Sequence, residues 1–96
     1  MKEMEKVFEL IKELDNCGDI YFDDYFDDKD NEQVYDITLV DSYGGEDDYR
    51  EYENPEKVNE LLTLLEECAE TVIEDYHTFY CFEGFYFIIN YLSKED

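Results

Sequence analysis

Along the first sixteen residues the apolar positions recur at helical spacing. Met4, Val7, Phe8, Ile11 and Leu14 fall at i, i+3, i+4 and i+7, with Glu5, Glu9 and Glu13 on the outer side and Lys2, Lys6 and Lys12 interspersed. The pattern predicts a helix over residues 2–16. Asn16-Cys17-Gly18 would stop it, because Gly18 suits the left-handed position after a helix end. From Asp19 the period drops to two. Ile20, Phe22 and Phe26 alternate with Tyr21, Asp23, Tyr25 and Asp27, as in a strand with one buried face. Residues 28–32 carry turn chemistry. Residues 34–40 alternate again, with Tyr35, Ile37 and Leu39 on one side and Asp36 and Thr38 on the other. After turn residues 42–46, the tyrosine-rich stretch 49–53 reads as a short third strand. The three would form an antiparallel meander, a topology that leaves one sheet face in water.

Asn54-Pro55-Glu56 is a helix start: a capping residue, proline in the first turn, then an acid. Val58, Leu61, Leu62, Leu65, Cys68, Ala69, Val72, Ile73 and Tyr76 continue an apolar stripe, so the helix is expected to run from 55 to about 76. Residues 79–82 and 85–92 are rich in aromatic and β-branched side chains, with Glu83-Gly84 as a tight turn between them. Strand composition favours an aromatic strand or hairpin. Phe85, Ile88, Ile89 and Leu92 also fit a helix face, so a third helix is the alternative. The expected architecture is a single α+β domain over residues 1–96: N-terminal helix, meander, long second helix and C-terminal strand or hairpin.

Charge changes this picture. The 96 residues hold 29 Asp and Glu against 7 Lys and Arg, a net charge of -22. A small domain usually carries a magnitude of about 2–8. Such an excess would suggest disorder, but ten Tyr and seven Phe supply large core side chains. The same excess excludes nucleic acid and anionic membrane as direct partners, since both repel it. No apolar run reaches the ~18 residues of a membrane span, and the first residues lack the apolar core of a signal peptide.

Candidate chemistry is sparse. Cys17, Cys68 and Cys81 are odd in number and form no C-x-x-C pair, so neither a disulfide framework nor a zinc ribbon is suggested. They read as small apolar side chains of a reducing cytoplasm. The single histidine, His77, is placed at the end of the second helix, far in sequence from Ser42 and not paired in any motif with Ser93. No catalytic site is expected. Asp28, Asp30 and Glu32 resemble the start of a calcium loop, but Gln33 stands where an EF-hand needs glycine and Leu39 where it needs glutamate. Gly44-Gly45 lies among acids that would expel a phosphate. No metal or cofactor is expected.

The acids concentrate between residues 19 and 56, where fifteen stand against Lys29 and Arg50, a net -13 over 38 residues. On the strands, Asp23, Asp27 and Asp36 would stud the open sheet face. On the second helix, Glu56, Glu60, Glu67, Glu70 and Glu74 would form an outer ladder, each like-charge pair at i,i+4 costing about 0.2–0.5 kcal/mol. Charges held against such repulsion point to a cationic partner. Twenty-two phosphate charges correspond to roughly 37 Å of duplex, and a compact domain of this length is about 32 Å wide. The candidate partner-binding residues are Asp23, Asp24, Tyr25, Asp27, Asp28, Asp30, Asp36, Glu46, Asp47, Asp48, Tyr49, Glu51 and Glu53. Tyrosines among acids suit an interface, adding rigid area and a hydroxyl.

An N-terminal helix, an acidic meander containing Asp23-Asp24-Tyr25-Phe26-Asp27-Asp28 and then helical sequence resemble the small acidic phage-encoded DNA mimics of the anti-CRISPR class. The resemblance concerns layout and charge. It implies a non-enzymatic inhibitor in the cytoplasm of a bacterial host, monomeric or dimeric, that occludes the site where a Cas effector reads or holds target DNA. The alternative reading is an immunity protein or antitoxin that neutralises a basic toxin nuclease, where acid also meets base.

Overall fold

The computed structural model describes residues 2–43, 49–50 and 52–94, with side chains for residues 3–40 and 52–91. Its elements are α1 (Lys2–Cys17), β1 (Ile20–Asp27), β2 (Glu32–Tyr43), β3 (Tyr49–Arg50), α2 (Pro55–Cys68), β4 (Thr71–Glu74), β5 (Thr78–Phe82) and β6 (Phe85–Lys94). The expected α+β class and N-terminal helix are present, with a second helix after Asn54.

Helix α1 ends as its sequence dictates. Gly18 has φ +87. The Gly18 N–H donates to Asp15 O at 3.3 Å and the Asp19 N–H to Leu14 O at 3.0 Å, the paired bonds of a Schellman end. Strands β1 and β2 form an antiparallel hairpin that pairs Ile20 with Leu39 and Asp27 with Glu32. In its turn Asn31 takes φ +60, a left-handed conformation that asparagine tolerates. The Asp27 carboxylate accepts the Lys29 N–H at 3.0 Å.

The sheet order is β1-β2-β6-β5-β4, with β3 pairing β2 beyond the end of β1. This corrects the meander. β3 spans only two residues, and the neighbour of β2 opposite β1 is the distant strand β6, paired in parallel from Gln33–Phe85 to Ser42–Lys94. Ser42 pairs with Arg50 and Lys94 together, so β3 lies on the β1 side of β2. The ambiguous final segment forms the β5–β6 hairpin, turned by Glu83 and by Gly84 at φ +89.

The second helix is shorter than expected. It stops at Cys68, and Ala69 is already extended at φ -67, ψ 141. Thr71, Val72 and Ile73 belong to β4, paired with β5. β-branched side chains lose rotamer freedom in a helix and pack well on a pleated surface, so strand pairing wins over the helical spacing of Val72 and Ile73, and Tyr76 is left 95% exposed in the β4–β5 turn. Glu70 and Glu74 are therefore not part of a helical ladder. His77 lies in the β4–β5 turn, exposed, rather than at a helix end.

Both helices cover one sheet face. Val7, Leu10, Ile11 and Leu14 of α1 and Val58, Leu61 and Leu65 of α2 pack on Ile20, Ile37, Leu39, Phe82, Phe87 and Ile89. Phe87 is fully buried, and a side chain of this kind contributes about 1.5–3 kcal/mol by burial. Its ring centroid lies 5.0 Å from that of Tyr35, which also meets Phe8 edge-on at 5.1 Å. Tyr35 is thus a core residue. Two ion pairs bridge the helices: Lys57 Nζ to Glu13 Oε1 at 2.7 Å and Lys6 Nζ to Glu60 Oε2 at 3.9 Å.

A candidate partner-binding surface on the open sheet face

Pleating sends alternate residues to opposite faces, and the cross-strand register then sorts the candidate residues. Ile20, Phe22, Ile37 and Leu39 face the helices. Tyr21, Asp23, Tyr25 and Asp27 of β1 therefore point the other way, with Thr38, Asp36, Val34 and Glu32 opposite them. Successive same-face positions on a strand are about 6.8 Å apart. The result is an alternating row of phenol and carboxylate, with Tyr21 57% and Tyr25 46% exposed. Asp23 stands directly across from Asp36, which accepts a hydrogen bond from Asn90 Nδ2 of β6 at 2.6 Å.

The strands thus bring together Asp23, Tyr25, Asp27 and Asp36, and add Glu32 and Tyr21. Glu32, read from the sequence as the end of the turn, was missed, and its parity with Asp36 was the signal that could have placed it on this face. No such signal marks Asn90, since nothing local announces that β6 lies beside β2. Asp28 and Asp30 sit exposed in the turn at one end of this face. Asp24 points to the opposite side and is exposed. Glu53 lies at the other end of the β1–β2 hairpin, beside Asp19. Tyr49 is described as backbone alone, and Glu46, Asp47, Asp48 and Glu51 lie outside the described residues.

Asp19, one acid among many in sequence, has a structural task. It is 1% exposed. Its Oδ1 accepts the Glu53 N–H at 2.7 Å and its Oδ2 the Asn54 N–H at 2.8 Å, which fixes the chain as it enters α2. The Asn54 side chain makes no capping bond, and its Nδ2 donates to Cys17 Sγ at 3.4 Å.

Carboxylates also occupy the outer sides of both helices, but there Lys6, Lys12 and Lys57 are interspersed. Among the described side chains, the strands of the open sheet face carry Asp23, Asp27, Glu32 and Asp36 and no cation, while Lys29 is exposed between Asp28 and Asp30 in the turn at its end. Beyond the acidic strands this face turns apolar. Ile73, Phe79, Cys81 and Tyr86, with Glu32, line a hollow of about 270 Å³. Burial pushes the Cys81 thiol up, and the Glu32 charge adds to the shift. The Tyr86 phenol is also raised, first by burial and then by Tyr25, Asp27, Asp30 and Glu32.

Among the described residues no group of three or more His, Cys, Asp or Glu is placed to hold a metal ion. The three cysteines are free thiols. Among the described residues no helix is long and apolar enough to cross a membrane. No family model, curated protein or solved structure matches the chain.

Proposed function

We propose that this protein is a DNA-mimic inhibitor that occupies the cationic nucleic-acid groove of a bacterial defence nuclease, a Cas effector foremost. One observation carries the reading: the strands of the open sheet face present Asp23, Asp27, Glu32 and Asp36 with exposed Tyr21 and Tyr25 and no described cation, and the turn at its end sets Asp28 and Asp30 around the single Lys29. The molecule's long axis of 41 Å supports it, being close to the roughly 37 Å of duplex that bears 22 phosphate charges. A groove lined by Lys and Arg would capture such a face at electrostatically steered rates. The tyrosines supply rigid contact area that charge alone lacks. Chemistry on a substrate is no part of this function.

Competition tests it. Target DNA bound to a purified Cas effector should be displaced as the protein is added, with an apparent affinity that falls steeply between 50 and 200 mM salt, concentrations at which phosphate-type contacts respond. Charge reversal at Asp23, Asp27 and Asp36 together should weaken displacement at least tenfold, whereas reversal at Glu5 and Glu9 on α1 should not. Simultaneous binding of DNA and protein without mutual loss would overturn the proposal. Neutralisation of a basic toxin nuclease, with no effect on any Cas effector, would move the same surface to the immunity reading.

A further inference from the structure

We propose that the hollow bordered by Ile73, Phe79, Cys81, Tyr86 and Glu32 is an anchor site that receives one arginine side chain of a cationic protein partner. The inference rests on the reading that the partner is a basic protein, and it adds where and by which residue that partner is gripped.

The hollow joins two chemistries. Its floor comes from three neighbouring strands: Ile73 pairs with Phe79 across β4 and β5, and Cys81 with Tyr86 across β5 and β6. Ile73 is 49% exposed, and the Phe79 and Tyr86 rings lie 6.1 Å apart. Its rim is anionic. Glu32 is part of the lining, and the raised phenol of Tyr86 registers Asp27 and Asp30 as well. An uncharged apolar residue would fill the floor and leave the rim unused. An ammonium is compact and strongly hydrated, so lysine would use the rim and little of the floor. Arginine suits both. Its methylene stem lies along apolar surface, its planar guanidinium stacks on aromatic rings, and its fork matches a carboxylate.

Charge also selects against the other occupants. A second copy on this face would bring its own Asp27, Glu32 and Asp36 into the same interface and so double the negative charge there. Nucleic acid would bring phosphates to the same rim. A cationic protein gains from every one of these charges.

The test uses the whole protein, isotopically labelled, and capped tripeptides with arginine, lysine, citrulline or leucine between two glycines. Amide and side-chain NMR signals of Ile73, Phe79, Cys81 and Tyr86 should shift saturably with the arginine peptide. Lysine should bind at least threefold more weakly, and citrulline and leucine should leave the spectrum unchanged. Glu32→Gln and Ile73→Ser should each weaken arginine binding at least fivefold, with Glu9→Gln within twofold of the parent; dispersed spectra confirm that each variant is folded. Equal shifts from arginine and lysine, spread along Asp23, Asp28 and Asp30, would overturn the anchor while leaving charge mimicry intact. No response to the arginine peptide would also overturn it, and DNA displacement from the effector would then decide the inhibitor reading by itself.

Discussion

Asp36 and Asn90 are joined by a hydrogen bond of 2.6 Å from Nδ2 to Oδ1, and this bond ties the acidic hairpin to the strand that completes the core. Asn90 Nδ2 also reaches the Ile37 carbonyl at 3.4 Å. Asp23 faces Asp36 from the other side, so the amide offsets repulsion between two carboxylates. Asn90→Ala should lower stability by about 1–2 kcal/mol, the range of a hydrogen bond to a charged group partly open to solvent. Asp23→Asn should raise it by about 0.2–1 kcal/mol by removing a like-charge cross-strand pair. Urea midpoints at unchanged slope report both.

The Asp19 carboxylate serves two backbone N–H groups at the start of α2. Asp19→Ala should cost about 1–3 kcal/mol in all, because the two N–H groups it leaves without this partner are only partly buried. Asp19→Asn keeps one acceptor oxygen and should fall between the parent and Asp19→Ala. Equal urea midpoints for all three proteins would remove the assigned task.

Salt should stabilise the fold. Two exposed ion pairs between the helices lose strength when screened, but each is worth only about 0–1 kcal/mol. Self-repulsion among 22 net negative charges is screened at the same time. Relief of that repulsion outweighs the weakened pairs, so Tm should rise over the first ~0.2 M of sodium chloride. A falling Tm would mean that the ion pairs dominate instead.

The Glu13–Lys57 pair sets a pH window. Its hydrogen bond to Lys57 holds the Glu13 carboxyl below the usual range and, from the other side, holds the Lys57 ammonium above it. A carboxyl lowered in the folded state stabilises above its unfolded value of about 4.3, and that contribution disappears as pH falls through the folded value. A raised ammonium stabilises below about 10.4, and its contribution is lost as pH rises through the folded value. The Tm difference between the parent and Lys57→Gln, measured against the same change at Lys12, should be present at pH 7 and shrink progressively as pH falls below about 4.3.

The hairpin and α1 were legible because their signals are local. Ile20 to Asp23 alternate cleanly, although Asp24 and the 52% exposed Phe26 break the buried face beyond them; Asn31 and Gly18 mark ends that few other residues tolerate, and the α1 stripe has no competing reading. The end of α2 was not. Ala69, Val72, Ile73 and Tyr76 keep the helical spacing, and only the pairing of Thr71–Glu74 with β5 makes Val72 and Ile73 a strand. The β2–β6 pairing joins residues more than fifty positions apart, and no local pattern encodes such a register. The candidate surface was read in part for the same reason. Parity along β1 and β2 placed Asp23, Asp27 and Asp36 together, but Asp24 was expected with them although it points to the opposite face, and the apolar hollow beside them depends on β4, β5 and β6 coming side by side.

The parallel pairing of β2 with β6 bears on how the chain is born. Tyr35 and Ile37 gain Phe87 and Ile89 as neighbours only once the ribosome has made the last strand. Until then the nascent polypeptide carries the residues of α1 and of the β1–β2 hairpin without the strand that closes their interior. Non-local closure of this kind slows folding and leaves unfinished chains prone to clump. The acids of the hairpin, already synthesised, repel neighbouring nascent chains during that interval.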